Sequence, residues 1–503
     1  MTWVQATHSL AAMPNLADLL TRSAAAHPDR TAIKLDDVEL SYAGLEAASA
    51  RVAGLLGAKG VGPGDRVGIM LPNVPYFAAA YYGALRAGAA VVPMNVLLKE
   101  REVAFYLRDS GAKVLFAWHQ FADAAHAGAE EAGAECVLVE PGEFEALLAR
   151  CEPVRTVAER RADDTAVILY TSGTTGTPKG AELTHANLLA NVEVSLALFG
   201  VDERAVTLGA LPLFHAFGQT CGLNATIAAG GCLTMLPRFD AGKALEIVQR
   251  DGVTLFEGVP TMDGALLAQA ERGGHDASSL RVCVSGGAAL PVEVLHGFEA
   301  AFGCQVLEGY GLSETSPIAC FNHPDRPRKP GSIGTPVRGV EMKLLDDGEI
   351  AIRGHNVMKG YWRRPEDTAK AIDADGWLKT GDIGRVDEDG YFFIVDRKKE
   401  MVIRGGFNVY PREIEEVAYT HPAVREVAVI GVAHARLGEE VAAAFALKPG
   451  AEVTPEELRD FVKARVAAYK YPRVVWIVDE LPKGPTGKIL KREIKPPATL
   501  VAP

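Results

Sequence analysis

Residues 170–180 read Tyr170-Thr171-Ser172-Gly173-Thr174-Thr175-Gly176-Thr177-Pro178-Lys179-Gly180. The β-favouring residues Val167 to Tyr170 precede this stretch, and Thr184 to Asn187 have the pattern of a helix start. Small hydroxyl residues between glycines let backbone N–H groups approach an anion, and Lys179 adds a mobile positive charge. The Walker loop is excluded, because it needs Gly-Lys followed directly by Ser or Thr. The stretch predicts a polyphosphate-binding loop between a strand and a capped helix.

A second motif supplies the groups that a magnesium-bound nucleotide needs. It reads Glu308-Gly309-Tyr310-Gly311-Leu312-Ser313-Glu314-Thr315. An aromatic face can stack on a nucleobase, a hydroxyl can bond a phosphate oxygen, and a carboxylate can hold Mg²⁺ beside a triphosphate. Two further signals are the Ser285-Gly286-Gly287-Ala288 turn after a short buried strand, and Asp382 at the end of Trp377–Asp382.

These motifs occur in an order that resembles the acyl-adenylate-forming (AMP-binding) superfamily, which includes acyl-CoA synthetases, stand-alone adenylation domains and beetle luciferases. The resemblance covers residues from about 40 to 492 and is greatest to a fatty-acyl-CoA synthetase. It implies ATP, Mg²⁺ and CoA as ligands and a small-molecule carboxylic acid as the partner. Ser313 departs from the commoner threonine but keeps the hydroxyl group.

The resemblance also implies roles for individual residues. Lys488, in the basic Pro482–Arg492 loop, is the expected catalytic lysine, Glu314 the magnesium ligand and His215 a wall of the acyl site. The residues implied in ATP binding are Thr171, Ser172, Gly173, Thr174, Thr175, Gly176, Lys179, Gly286, Gly287, Ala288, Glu308, Gly309, Tyr310, Gly311, Ser313, Asp382, Arg397 and Lys488. Those implied in the acyl pocket are His215, Phe217, Val259 and Gly311; Lys399 is the implied hinge, and Gly405 and Gly406 line the implied CoA channel.

Length and pattern together predict the domain organisation. At 503 residues the chain exceeds one ordinary core. Alternating strands and helices with short Gly/Pro turns favour an α/β fold with doubly wound, mostly parallel sheets. The resemblance adds a small β subdomain and a small, mobile α+β C-terminal domain. We expect the N-terminal domain to span residues 1–396 and the C-terminal domain residues 397–503.

Composition narrows the class of protein. The 52 Lys and Arg against 64 Asp and Glu give a net charge of −12, which argues against a nucleic-acid binder. Seven scattered cysteines without C-x-x-C spacing indicate reduced thiols, and no secretory leader is recognisable, so a cytoplasmic enzyme is expected. Tyr76 to Met94 contains Arg86 and several glycines, which favours a helix feeding a buried strand over a membrane span.

The predicted function is AMP-forming activation of a medium- or long-chain fatty acid, followed by transfer to CoA. The run Met262 to Leu267 offers no cation for a second carboxylate, which disfavours dicarboxylates. Aryl-CoA ligation, loading of a phosphopantetheine carrier protein and luciferase-like oxygenation remain alternatives, as does a non-catalytic nucleotide- or acyl-binding relative. Amino acids are less favoured, although Asp240 lies where adenylation domains hold an ammonium group. Chain length, oligomeric state and peripheral membrane contact stay open.

Overall fold

The structure is a computed structural model that describes residue 10 and residues 13–171, 177–397, 400–405, 407–434 and 436–497, with only the backbone of Arg397. The α-helices are α1 Asp18–Ala26, α2 Tyr42–Ala58, α3 Pro75–Arg86, α4 Glu100–Ser110, α5 Ala122–Ala132, α6 Glu143–Ala149, α7 His185–Phe199, α8 Ala225–Ala229, α9 Ala241–Asp251, α10 Pro260–Ala270, α11 Val292–Phe302, α12 Pro365–Ala371, α13 Pro411–Tyr419 and α14 Pro455–Lys463. A π-helix spans Phe217–Asn224 and directly precedes α8.

The strands are β1 Thr31–Leu35, β2 Val38–Ser41, β3 Arg66–Met70, β4 Ala90–Pro93, β5 Val114–Trp118, β6 Glu135–Val139, β7 Thr165–Thr171, β8 Lys179–Thr184, β9 Val206–Gly209, β10 Cys232–Met235, β11 Leu255–Gly258, β12 Val282–Ser285, β13 Gln305–Gly311, β14 Ile318–Phe321, β15 Thr335–Pro336, β16 Val340–Leu344, β17 Glu349–Gly354, β18 Gly360–Tyr361, β19 Leu378–Val386, β20 Phe392–Arg397, β21 Val402–Arg404, β22 Phe407–Val409, β23 Val424–His434, β24 Gly438–Leu447 and β25 Val474–Val478.

Two large sheets form the N-terminal part. Their strand orders are β15-β14-β13-β12-β11-β9-β10-β1-β2 and β18-β8-β7-β4-β3-β5-β6, and the inner pairs of both sheets are parallel. Helix α3 is buried between neighbouring elements, and Phe77 on it belongs to an apolar cluster that joins Ile33 of the first sheet to Val167 of the second. The predicted doubly wound α/β architecture is confirmed.

The smaller sheets complete the architecture. An antiparallel sheet has the order β16-β17-β19-β20, and the last sheet has the order β22-β21-β24-β23, with β25 parallel to β24. The last sheet packs against α13 and α14 around its own apolar cluster, which includes Ile414 and Phe445. These are the predicted β subdomain and α+β C-terminal domain, whereas the boundary between residues 396 and 397 stays a prediction.

Local signals in the sequence place several helix starts. Ser41, Thr184 and Thr454 each accept a hydrogen bond from the backbone N–H three residues on, as N-cap residues do. Tyr76 to Met94 forms the rest of α3 and then β4, as predicted. Apart from the gaps named above, none of the helices combines the length and apolar character needed to span a bilayer.

The phosphate-loop prediction needs one correction. The stretch was expected to pass directly into a capped helix, but β8 comes first and pairs antiparallel with β7, with Thr171 opposite Lys179. Strands β7 and β8 are therefore the two arms of a β-hairpin, and α7 begins only after β8. Gly180 is required there, because a Cβ would lie 2.6 Å from a side-chain carbon of Ile168.

Candidate active site

The carboxyl ends of three neighbouring parallel strands define the site. Strands β11, β12 and β13 pair in parallel, so the segments that follow Gly258, Ser285 and Gly311 lie along one edge of the sheet. This edge is where open α/β sheets bind ligands. Val259, the Gly286 turn and Glu314 are thereby brought to the same side of the molecule from separate parts of the chain.

Glu314 lies in a single 3₁₀ turn, Ser313–Thr315, directly after β13. Its carboxylate accepts hydrogen bonds from the Tyr361 hydroxyl at 3.0 Å and from the Thr171 hydroxyl at 3.3 Å. Burial, followed by the adjacent Glu314, raises the pKa of Tyr361, so this hydroxyl stays protonated and donates. Glu314 is thus held beside Thr171, where the predicted phosphate loop begins. This position suits a group that acts on a nucleotide phosphate.

The residues present fit a magnesium ion that arrives with a nucleotide. In the described part of the chain, no three His, Cys, Asp or Glu side chains group closely enough to bind a metal ion by themselves. Mg²⁺ commonly takes one or two carboxylates and completes its shell with water and substrate phosphates. The single carboxylate of Glu314, next to the Thr171 hydroxyl, matches that donor set.

Lys179 lies at the other end of the hairpin. Its ammonium pairs with the Asp367 carboxylate at 2.7 Å and lies 5.3 Å from the centre of the Tyr361 ring. The side chain is 13% exposed. The ammonium group therefore lies at the end of the loop, beside Tyr361, whose hydroxyl group also donates to Glu314. Residues Ser172 to Gly176 lie outside the described part of the chain.

Tyr310 and Asp382 form the second pair of the site. The Tyr310 hydroxyl donates to the Asp382 carboxylate at 2.5 Å, and the Asp382 backbone N–H donates to the Thr380 hydroxyl at 3.1 Å. Burial and the neighbouring Asp382 charge raise the pKa of Tyr310. Asp382 also pairs with Arg397 in the register of β19 and β20, which places the two backbones opposite each other.

Glycines around these groups are needed for close backbone contact. A Cβ on Gly311 would lie 1.7 Å from the Pro317 carbonyl oxygen, and one on Gly309 would lie 2.2 Å from the Phe321 ring. The predicted Gly286–Ala288 turn follows β12, and Gly287 has a φ of +77°. Glu308 is one of the residues implied in ATP binding. Its carboxyl group is buried and accepts a hydrogen bond from the Leu290 N–H at 3.1 Å. Burial raises the pKa of Glu308 to about 7.

Two of the expected acyl-pocket residues, Phe217 and Val259, lie against the Gly286–Gly287 turn. The Phe217 ring is 3.1 Å from the position of a Cβ on Gly286, and a Val259 methyl is 3.5 Å from that of Gly287. Phe217 opens the π-helix, a conformation that is frequent at functional sites. His215 precedes it and accepts from the Phe217 N–H through Nδ1. Burial, followed by the Lys488 charge, lowers the pKa of His215 to about 4, so the ring is neutral at pH 7.

The loop that carries Lys488 docks on this pocket. The Thr261 hydroxyl donates to the Gly487 carbonyl oxygen at 2.8 Å, and a Cβ on Gly487 would lie 3.0 Å from a methyl group of Val259. Lys488 directly follows Gly487, so the loop brings it to the wall formed by Val259 and Thr261, although more than 200 residues separate the lysine from both.

The remaining predicted residues belong to the domain connection. Gly405 has a φ of +57° in the turn between β21 and β22, and its N–H donates to the Leu437 carbonyl oxygen. Lys399, Gly406 and the Arg397 side chain lie outside the described part of the chain. Three contributors were not singled out from the sequence: Asp367, Tyr361 and Thr261. Nothing in the sequence identifies Asp367 as the partner of Lys179.

Comparison with known proteins agrees with this geometry. The AMP-binding enzyme family matches residues 20–362, and the AMP-binding enzyme C-terminal domain matches residues 413–488. The chain is 39% identical to a long-chain-fatty-acid–CoA ligase of Bacillus subtilis (strain 168), covering 96% of this chain and 94% of that one. It is also 39% identical to a feruloyl-CoA synthase of Amycolatopsis sp, covering 94% and 97%.

The comparison with solved structures distinguishes two states of one protein. ATP-bound MatB from Rhodopseudomonas palustris, at 35% identity, superposes with a TM-score of 0.88 over 95% of this chain and 98% of that one. Apo MatB from the same organism, at the same identity and coverage, gives a TM-score of 0.78. The arrangement of the chain is thus closer to the ATP-bound form. The chain belongs to the AMP-binding enzyme family, within its superfamily of AMP-forming acyl- and aryl-CoA ligases.

Proposed function

We propose that the protein is an acyl-CoA synthetase that activates a carboxylic acid in two steps. The acid first attacks the α-phosphorus of ATP, which releases pyrophosphate and leaves an acyl-AMP. The thiol of CoA then attacks the acyl carbonyl carbon, which gives the acyl-CoA and releases AMP. The observation that carries this proposal is the docking of the Lys488 loop on the acyl pocket through the Thr261–Gly487 hydrogen bond.

The first step depends on placement and charge. Tyr310 and Asp382 are positioned for the nucleoside, with the ring for adenine and the carboxylate for the ribose hydroxyls. Lys179 is positioned for the departing pyrophosphate, and Lys488 for the attacking carboxylate and the α-phosphate. Mg²⁺ on Glu314 would neutralise phosphate charge. Preorganised donors of this kind lower the barrier because they need not reorient as charge develops.

The second step requires the small domain to turn. The docked Lys488 loop contacts the pocket wall at Val259 and Thr261, so an incoming thiol would meet a crowded site. We propose rotation about Lys399, which withdraws Lys488 and brings the Gly405–Gly406 turn to the site. Gly405 supports this role, because glycine adopts its positive φ at little steric cost and leaves the backbone free of a side chain.

For the acid, we propose a medium- or long-chain fatty acid. Support comes from the apolar walls Phe217 and Val259 and from the lack of a cation on α10 between Met262 and Leu267. An aryl acid is the second candidate, which the similarity to a feruloyl-CoA synthase favours. An amino acid is disfavoured, because Asp240 caps α9 and accepts from the Lys243 N–H at 2.8 Å.

We also propose CoA as the acceptor, a cytoplasmic location and a domain boundary between residues 396 and 397. The competing acceptor is a phosphopantetheinylated carrier protein, which presents the same thiol on a protein. Light emission with luciferin would mark the oxygenation alternative. The chain keeps Lys179, Glu314, Asp382 and Lys488, whereas a non-catalytic relative would have no need of the set.

The decisive experiment measures pyrophosphate and AMP release with ATP and Mg²⁺ across saturated fatty, aryl and amino acids. Each acid is assayed alone, with CoA and with a phosphopantetheinylated carrier. We expect pyrophosphate with fatty acids alone and AMP turnover only when CoA is added. AMP turnover with the carrier and not with CoA would assign the alternative acceptor. Absence of pyrophosphate release with every acid would refute the proposed function.

A further inference from the structure

Glu257 is a buried acid that the two steps above do not use. It lies near the carboxyl end of β11 and is 2% exposed. The preceding Phe256 stacks on Phe298 of α11, with ring centres 6.4 Å apart. Since side chains alternate along a strand, Glu257 points to the opposite face of the sheet, toward the π-helix.

The surroundings of Glu257 leave its carboxyl group incompletely satisfied. Its Oε1 is buried and has no hydrogen-bond partner among the described residues. Its Oε2 is 3.1 Å from the position that a Cβ on Gly222 would take. Burial raises the pKa of the neighbouring Cys221 thiol. The Glu257 carboxyl group therefore lies close to the π-helix at Gly222, with one buried oxygen for which the described residues supply no partner.

Strand β11 and the π-helix also lead to the wall of the proposed acyl pocket that lies nearer to Lys488. Phe217 begins the π-helix that contains Cys221 and Gly222, and these two residues lie about one π-helical turn farther along it. Val259 follows Glu257 by two residues and contacts the Gly487 end of the site. Val259 and Phe217 lie nearest to the Lys488 loop. Farther from that loop, the next residues on this face of the strand and on the π-helix are Glu257 and Cys221.

Burial raises the pKa of Glu257 well above its usual value, which favours the uncharged carboxylic acid. An uncharged acid both donates and accepts hydrogen bonds. A methyl-ended chain would leave this buried polar group without a hydrogen bond, which is unfavourable. A second carboxylate would bring an uncompensated charge into the same space. A hydroxyl group satisfies the acid without charge.

We propose that Glu257 is a specificity-determining residue at the inner end of the acyl site, where it hydrogen-bonds a hydroxyl group on the distal end of the carboxylic acid. This inference rests on the proposed acyl-CoA synthetase function and adds a substrate class to it. Two sources carry the same chemistry: a hydroxyaryl acid and an ω-hydroxy fatty acid.

The test compares matched pairs of acids in the pyrophosphate-release assay. One pair is 3-phenylpropionate and 3-(4-hydroxyphenyl)propionate; the other is octanoate and 8-hydroxyoctanoate. We expect wild-type kcat/KM to favour the hydroxyl-bearing member of at least one pair by about 10–100-fold. An acid without the hydroxyl group would leave the buried Glu257 carboxyl group without a hydrogen-bond partner. The pair that shows the preference identifies the source.

Two variants isolate the role of the carboxyl group. Glu257→Met keeps the length of the side chain and removes its polar atoms, so the preference should fall to near one or reverse. Glu257→Gln keeps a donor and an acceptor and should retain most of it. A purely structural role would lower kcat/KM for both members of a pair equally, and thermal unfolding of each variant reports any loss of folding separately.

Each outcome decides the matter. Activation of acids without a hydroxyl preference in either pair would overturn this inference and leave the proposed function intact. A preference that Glu257→Met does not reduce would assign the hydroxyl site to another residue and also overturn it. A stronger preference for 8-aminooctanoate would show that Glu257 binds as a carboxylate, contrary to the proposal. If no acid releases pyrophosphate, the proposed function fails and this inference fails with it.

Discussion

The Thr261 hydroxyl group donates a 2.8 Å hydrogen bond to the carbonyl oxygen of Gly487, 226 residues along the chain. Thr261 is the second residue of α10 and follows the pocket residue Val259. Gly487 precedes Lys488 in the loop of the small domain. The bond therefore ties the wall of the acyl pocket to the residue expected to act on the carboxylate, and the closeness to ATP-bound MatB agrees with this docked arrangement.

Thr261→Val should weaken this docking while preserving the shape of the side chain. A typical hydrogen bond contributes about 0.5–1.5 kcal/mol, so acyl-AMP formation should slow by roughly 2–10-fold. Thioester formation from supplied acyl-AMP needs the loop withdrawn and should not slow. The two half-reactions are measured separately in single-turnover experiments. Thr261→Ser keeps the hydroxyl and serves as the control; an equal loss in both half-reactions would contradict the docking role.

Gly487→Ala tests the same contact from the other side. Gly487 has a φ of +77°, and a Cβ there would lie 2.9 Å from the Thr261 hydroxyl and 3.0 Å from a Val259 methyl. The left-handed backbone alone costs a non-glycine residue about 1–2 kcal/mol. We expect acyl-AMP formation to fall by at least about 10-fold.

Gly484→Ala provides the matched control, because it lies in the same loop and its Cβ would come only to 3.4 Å from a Leu490 methyl. It should retain near-normal acyl-AMP formation. If both glycine variants lost activity to the same extent, general loosening of the loop would explain the effect better than the contact with Thr261.

Lys488→Ala should impair acyl-AMP formation selectively. Removing one preorganised charged donor typically costs about 10²–10³ in rate, and the thioester half-reaction from supplied acyl-AMP should be nearly unchanged. Lys483→Ala is the control within the same loop, since Lys483 pairs with Glu426 at 2.9 Å and not with the pocket. Comparable losses in both half-reactions for Lys488→Ala would remove the assigned role.

Tyr310→Phe should raise KM for ATP more than it lowers kcat. The variant keeps an aromatic face for the base but removes the hydroxyl that donates to Asp382 at 2.5 Å. Loss of this bond leaves the carboxylate less well oriented for the ribose, and we expect a rise in KM of about 3–10-fold. Tyr391→Phe is the control, because that hydroxyl donates to the Pro327 carbonyl oxygen away from the site. An unchanged KM for ATP would show that Asp382 is oriented by other contacts.

The alternation of strands and helices was enough to predict the parallel α/β sheets, and the resemblance in motif order singled out Glu314, Asp382 and Val259. Val259 and Glu314 follow the ends of β11 and β13, whereas Asp382 lies inside β19. The hairpin of β7 and β8 was missed, since the loop's own residues do not reveal whether a strand or a helix follows Lys179. The chain between Lys179 and Thr184 is short, and it is a strand because it pairs with β7 and β18.

The sequence alone did not predict which residues far apart in the chain would pair. Asp367 pairs with Lys179 across 188 residues, and an Asp at the start of a helix ordinarily favours that helix terminus. The burial of Glu257, Asp263 and Glu308 was equally hidden, because isolated acids in sequence are most often solvated. Their environment depends on which helices cover the sheet, which is decided by the packing of the whole domain.

Asp263→Asn should change how stability depends on pH. Asp263 is buried, accepts from the Ser285 hydroxyl at 2.6 Å, and has its pKa raised by burial to about 7. The unfolded chain loses this proton near pH 3.8, whereas the native protein keeps it until about pH 7. The contribution of the group to stability is therefore complete below pH 3.8 and is lost as the pH rises toward 7.

Asparagine cannot ionise and can still accept from Ser285, so the variant should escape this loss. We expect equal stabilities near pH 4 and a variant more stable than wild type at pH 8 by on the order of 2–4 kcal/mol. Denaturant unfolding at pH 4, 6 and 8 measures the difference. Asp276→Asn is the control, because the pKa of that exposed residue is lowered by hydrogen bonds from Ser278 and its stability contribution changes only below pH 4. A variant that is less stable than wild type at pH 8 would mean that the native carboxyl group is ionised and held by its partners, contrary to the effect of burial.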